Sequence, residues 1–230
     1  KLDVGRRAVV RSLALDDSRR FEGHGLLWKA AGANARRALL TTQTDTDSGH
    51  GIVALHDDAD LQVIAEWRTA GIGPHQICHW PTAGKLIVAN GGILTLPETG
   101  REDRSEGPLQ SSLAALDPGT GQVDKVWEAP LPGVSLRHLS LSDDGVLAVA
   151  MQQLPEPPGG GDSPVLALLP TPASRLELAS PGNADPRRWM GYAGSVAARR
   201  NFFAVTCPRA GLVAIWASNG TLAAEVAIPG

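Results

Sequence analysis

The sequence predicts an all-β protein of the β-propeller class. Three observations carry this: a fourfold internal repeat, short apolar runs within every repeat, and Gly, Pro, Asp or Asn between them. Each repeat opens on a lead-in rich in Gly, His or Ser and continues with two apolar runs joined by a tight turn. A variable loop, a third run, a turn and a fourth run follow. The runs are apolar or β-branched and about as long as strands. Turns such as Asp117–Gly121 and Ser142–Gly145 supply residues that tolerate left-handed backbone. Pro or Gly interrupts every stretch before apolar residues three and four apart could build an amphipathic helix.

The first repeat, a blade over residues 23–67, begins Gly23-His24-Gly25 and continues through Leu26–Trp28, Ala38–Thr42, Ile52–Asp58 and Leu61–Trp67. The second, residues 73–129, begins Gly73-Pro74-His75 and continues through Gln76–Trp80, Leu86–Asn90, Ser112–Leu116 and Val123–Ala129. The third, residues 135–179, begins Ser135-Leu136-Arg137-His138, and the fourth, residues 192–228, begins Tyr192-Ala193-Gly194-Ser195. His24, His75, His138 and Ser195 therefore recur at intervals of roughly 50 to 60 residues, against about 40–50 for a four-stranded propeller blade. Long loops at Gly91–Gln110, Leu154–Pro164 and Pro181–Gly191 account for the excess. Residues 1–20 read as the end of a preceding blade, with an outer strand over Arg6–Leu15.

In a propeller the first strand of each blade lines the central channel. The lead-ins and the loops between second and third strands then share one rim. This places His24, His75, Asn90, Arg101, Arg137, His138, Ser195 and Arg209 as candidate ligand-binding residues around the channel mouth. Trp67, Trp127 and Trp216 are expected to pack between blades, since buried aromatic area dominates such cores. The two cysteines, Cys78 and Cys207, lie in apolar strands of non-adjacent repeats and are expected to stay unpaired. A net charge of −3 without a basic cluster argues against nucleic acid. No apolar run is long enough for a membrane-spanning helix.

Three histidines at one repeat position are the strongest chemical signal. Imidazoles converging on one point suit zinc or another transition metal, so His24, His75 and His138 are candidate metal ligands. The same recurrence is open to a ligand-orienting role or to a structural hydrogen bond in each blade. The sequence itself demands no cofactor. Arg137 and Arg209 suit a carboxylate or phosphate, with an interloop salt bridge to Glu98, Glu102 or Asp103 as the alternative. Asp45 and Asp47 are too few for a calcium loop without help. Ser195 lacks the following helix that a nucleophile elbow needs, and Gly159–Asp162 lacks the lysine of a phosphate loop.

The runs GIGPH, LIVANGGILTLPETGRE, SLAALDPGTG, SLRHLSL, GYAGSVA and CPRAGLVAIW, in this order and spacing, resemble a bacterial family called domain of unknown function 1513. The resemblance extends from about Arg20 to Val226. It implies a seven-bladed propeller exported to the periplasm by a twin-arginine signal. It also implies a role near iron or haem handling, because members are often encoded beside imelysin-like lipoproteins and di-haem oxidoreductases. Two departures stand out: Asp103–Gly107 replaces a Lys-Leu-Asn-Leu-Asp run, and Gln76 stands where an acidic residue is usual.

Together these point first to a non-enzymatic periplasmic binding or scaffold module. Its channel rim would engage a periplasmic partner protein, a small anionic ligand or an iron or haem species. The alternative is a metal-assisted hydrolase or lactonase-like propeller enzyme using a metal-bound water held by the rim histidines.

Overall fold

The computed structural model describes residues 1–29, 37–95, 104, 107–171 and 175–228. Eighteen strands are present among them. The first two, β1 (Leu2–Asp3) and β2 (Ala8–Val9), pair only with each other. The other sixteen form four four-stranded antiparallel sheets in which sequence neighbours are spatial neighbours. These are β3–β6 (Arg19–Lys29, Arg37–Asp45, Gly51–Asp57, Val63–Arg68) and β7–β10 (Pro74–Trp80, Lys85–Asn90, Ser112–Leu116, Val123–Glu128). They continue with β11–β14 (Val134–Leu141, Leu147–Gln153, Leu166–Leu169, Glu177–Leu178) and β15–β18 (Ser195–Arg199, Phe202–Cys207, Leu212–Ala217, Leu222–Ala227). Among the described residues, single-turn 3₁₀ segments interrupt the strands at Pro81–Ala83, Pro186–Trp189 and Pro208–Ala210.

Sequence pattern tracks position in each sheet. The second strands β8 and β12 are apolar almost throughout and buried almost throughout, because neighbouring sheets cover both of their faces. The fourth strands β6, β10 and β18 mix charged and apolar residues and are largely exposed. The first strands β3, β7, β11 and β15 stand side by side in that order, so they form the inner edge about which the blades turn.

Each core lies between two consecutive sheets. Leu40 and Val53 of the first meet Ile77, Leu86 and Val88 of the second. Ile87, Leu113 and Trp127 of the second meet Leu136, Val149 and Met151 of the third. Ala148, Ala150 and Leu166 of the third meet Val196, Phe203 and Trp216 of the fourth. The tryptophans sit in these seams. A Cβ on Gly121, in the turn after β9, would overlap the Trp67 indole. The Trp80 indole N–H crosses to the carbonyl of Gly145 at 3.0 Å. Trp216 is 1% exposed, packs on Trp189 at 5.1 Å between ring centroids, and donates to the Ser180 carbonyl at 3.3 Å. Cys78 and Cys207 are free thiols, both pushed up to about 12 by burial.

The leading segment departs from expectation. The strand expected over Arg6–Leu15 shrinks to Ala8–Val9, which joins the β1–β2 hairpin and none of the four-stranded sheets. Both residues of β2 are exposed, so no apolar face ties them to a blade.

Trp216→Ala should lower unfolding free energy by about 3–5 kcal/mol, the usual loss for a buried indole, and Trp216→Phe by clearly less. Urea unfolding at pH 7 measures both. A loss under about 1 kcal/mol for the alanine variant would contradict a seam role.

Candidate metal centre

The three repeat histidines lie within the innermost strands and not on the loops leading into them: His24 in β3, His75 in β7, His138 in β11. In each case the strand carries a β-bulge at that position. Between Phe21 and Gly25 the register to β4 shifts, so Glu22, Gly23 and His24 face Thr42 alone. Between Pro74 and Gln76 the extra residue is His75. Between Leu136 and Leu139 both Arg137 and His138 face Ala150. A bulge breaks the strict alternation of side chains and re-aims the one it carries. Gly23 makes the first bulge feasible, with φ of 90°, a region most residues avoid. In the fourth sheet, β15 pairs with β16 without a shift from Ser195 to Arg199, and Ser195 is exposed.

The result is convergence. Ring centroids lie 4.7 Å apart for His24–His75, 5.1 Å for His24–His138 and 4.7 Å for His75–His138. One nitrogen from each ring falls within 4.8 Å of the other two. His75 Nε2 and His138 Nε2 are 3.3 Å apart. A tetrahedral ion with zinc–nitrogen bonds of about 2.0–2.1 Å spaces its ligand atoms about 3.3 Å apart, so this pair stands at ligating distance. Binding by all three asks His24 to move inward by on the order of 1 Å.

The surroundings orient the rings. Gln76 Oε1 accepts the Leu139 backbone N–H at 3.0 Å, while Gln76 Nε2 donates to the Leu139 carbonyl at 3.2 Å. The amide is thereby fixed with its oxygen toward His138 Nδ1, 3.1 Å away. Nδ1 must carry the proton to donate to it, which leaves the Nε2 lone pair aimed at His75. Metal-bound histidines are commonly held this way by a carbonyl or carboxylate behind the ring. The Thr42 hydroxyl, fully buried, shares its proton between the carbonyls of His24 and His75, each at 3.2 Å, and so ties two bulges together.

Electrostatics keeps the rings neutral. Burial lowers His75 to about 2, helped by the Arg137 charge and by the other two imidazoles. Burial, then His24 and Arg137, lowers His138 to about 4. His24 is lowered by burial and by Arg137. The Arg137 charge thus reaches all three rings, and is itself acted on by Tyr192, which lies ahead of β15, and by Glu22 of β3. Burial raises Glu22, whose Oε1 accepts from the Thr44 hydroxyl at 2.6 Å.

The remaining candidates are placed elsewhere. Asn90 is fully buried and binds the Thr69 carbonyl at 3.1 Å and Ser112 Oγ at 3.2 Å, a tie behind the strand. Arg209 forms an ion pair with Glu156, not one of the acidic residues expected for it, and stacks over Tyr192 at 3.7 Å. Arg101 lies outside the described residues, as does Glu98. Asp45 caps a turn, accepting from the backbone N–H groups of Asp47 and Ser48, and pairs with Arg19 at 3.0 Å. Sequence reasoning noted Gln76 only as a departure and missed Glu22 and Thr42. Glu22 carried a usable signal, a carboxylate two residues from His24 in a strand.

A family model described as "Protein of unknown function (DUF1513)" matches residues 1–230. The chain belongs to this family. No match was found among curated proteins. Solved propellers share the fold of this DUF1513 chain. The Dos1 propeller superposes with a TM-score of 0.55 at 10% identity, covering 88% of this chain and 46% of its own. A propeller-bearing chain of a nidogen/laminin complex gives 0.53 at 12%, covering 84% and 59%. The Cps50 (Swd1) β-propeller domain of Myceliophteria thermophila gives 0.51 at 14%, covering 78% and 50%. The DUF1513 chain thus spans about half the length of these structures.

The histidine values set a pH dependence. They lie below the roughly 6.5 of an unfolded histidine, so on acidification the unfolded chain takes up these protons first. Their contribution is complete above about pH 6.5 and is lost as pH falls toward 4 and below. Metal-free protein should lose urea resistance between pH 7 and pH 5, and His75→Gln should flatten that loss. Equal pH slopes in the two proteins would refute the neutral, buried state of His75.

Proposed function

We propose that this chain is a binding module that holds a transition-metal ion on the channel side of its inner strands. The carrying observation is the approach of His24, His75 and His138, with one nitrogen of each within 4.8 Å of the others. Neutral imidazoles suit zinc, copper, iron or nickel more than calcium or magnesium, which prefer oxygen. The Gln76 carbonyl behind His138 supplies the outer hydrogen bond that such a ligand uses. The module reading places the metal in a binding or scaffold role, with a partner protein or small ligand meeting the inner face. A periplasmic location, and a link to iron or haem, rest on the family resemblance alone.

A second reading has one observation in its favour. Three protein nitrogens leave a tetrahedral ion an open position for water, and the Glu22 carboxyl lies on the same strand as His24. That arrangement suits metal-assisted hydrolysis of an ester or lactone.

The test is metal analysis of the full chain after stripping with chelator and exposure to zinc, iron and calcium in turn. One equivalent of a transition metal should be retained, and calcium should not. His75→Ala should abolish retention, and Gln76→Ala should weaken affinity about 10- to 100-fold, as loss of an outer-shell partner does. Retention of metal by His75→Ala, with only stability reduced, would make the histidines structural. Turnover of simple esters or lactones by the metal-loaded chain, absent from His75→Ala, would favour the hydrolytic reading.

A further inference from the structure

Arg137 is the charged group that a bare metal centre leaves unexplained. It shares the β11 bulge with His138, both residues facing Ala150 alone, and its charge lies near enough to act on all three imidazoles. Its Nε is buried with no hydrogen-bond partner among the described residues. Leaving such a donor dry and unpaired is costly. Glu22 acts on it from β3, but Glu22 Oε1 is already engaged by the Thr44 hydroxyl at 2.6 Å. The space beside the guanidinium is kept by Gly91: a Cβ there would stand 3.1 Å from Arg137 Nη1 and 3.0 Å from Ser135 Oγ.

A divalent ion held by neutral histidines beside a guanidinium meets a like charge in a poorly solvated place, and the repulsion is steep at such range. An anion between the two removes it. A group with paired oxygens fits both sides, one oxygen to the metal and another to the planar fork of the arginine. We propose that the centre binds its metal together with a small oxyanion, a carboxylate or phosphate in chemistry. Its oxygens bridge the fourth coordination position and Arg137. This rests on the metal-binding reading above and names the ligand class of that site.

The two ligands are then coupled, and the coupling is reciprocal. The test titrates Co²⁺ into the metal-stripped full chain, followed by visible absorption, in inert buffer alone and with millimolar acetate or phosphate. In the wild type the anion should tighten Co²⁺ by about tenfold and shift the absorption band. The arm with the larger effect assigns carboxylate or phosphate. Arg137→Gln should still bind Co²⁺ but lose the anion dependence, and Arg137→Lys should keep part of it. Gly91→Ala, which crowds the guanidinium and leaves the histidines in place, should weaken the anion effect with Co²⁺ still bound. Should Arg137→Gln fail to fold by circular dichroism, the lysine and Gly91→Ala variants decide the matter. Anion dependence that is absent from the wild type, or unchanged across the variants while Co²⁺ binds, refutes the oxyanion and leaves the metal reading standing. Failure of the wild type to bind Co²⁺ at all refutes both.

Discussion

One β-bulge in each of three consecutive innermost strands is the constraint on which the site depends. In regular strands, side chains alternate between the two faces, and each inner strand would place His24, His75 or His138 by its own register. An extra residue in β7 and in β11, and two in β3, break that alternation where each histidine sits. The bulges gather three imidazoles whose centroids are about 5 Å apart. The fourth sheet shows the contrast: β15 has no bulge, and Ser195 stays exposed and apart.

Bulges sacrifice ladder hydrogen bonds, so the freed backbone groups need other partners. Side chains from the second strands and the seams supply them. Thr42 serves the carbonyls of His24 and His75. Ser111 donates to the Asn90 carbonyl at 2.8 Å and accepts the Leu136 N–H at 2.8 Å, joining the second sheet to the third. Ser135 donates to the Gly91 carbonyl at 2.7 Å. These small polar residues interrupt otherwise apolar strands because each answers a specific unpaired backbone group. They also hold adjacent blades in a single register, without which the three rings would not meet.

The electrostatic character of the centre follows from the same burial. Half-buried imidazoles facing a guanidinium shed their protons, so the cluster presents lone pairs and not charges at neutral pH. The positive charge that remains is that of Arg137, and its buried Nε has no hydrogen-bond partner among the described residues. A neutral donor set beside that cation is what supports the proposed pairing of a metal ion with an anion.

The sequence by itself determined the blade pattern. Near-continuous apolar second strands, mixed outer strands and Gly–Asp turns report local burial and backbone geometry, which depend on neighbours a few residues away. It determined the repeat position of His24, His75 and His138 for the same reason, and the seam role of Trp216. Only the tertiary structure decided which rim candidates act together. Asn90, Arg137 and Arg209 look alike as polar residues near strand ends. Asn90 turns inward to Thr69 and Ser112, Arg209 finds Glu156 and Tyr192, and the charge of Arg137 acts on the histidines. Those fates depend on bulges and on residues from other blades, and register shifts leave little trace in composition or periodicity. The role of Gln76 was hidden similarly, because its amide acts on a ring 62 residues away, across a seam that exists only once the blades pack.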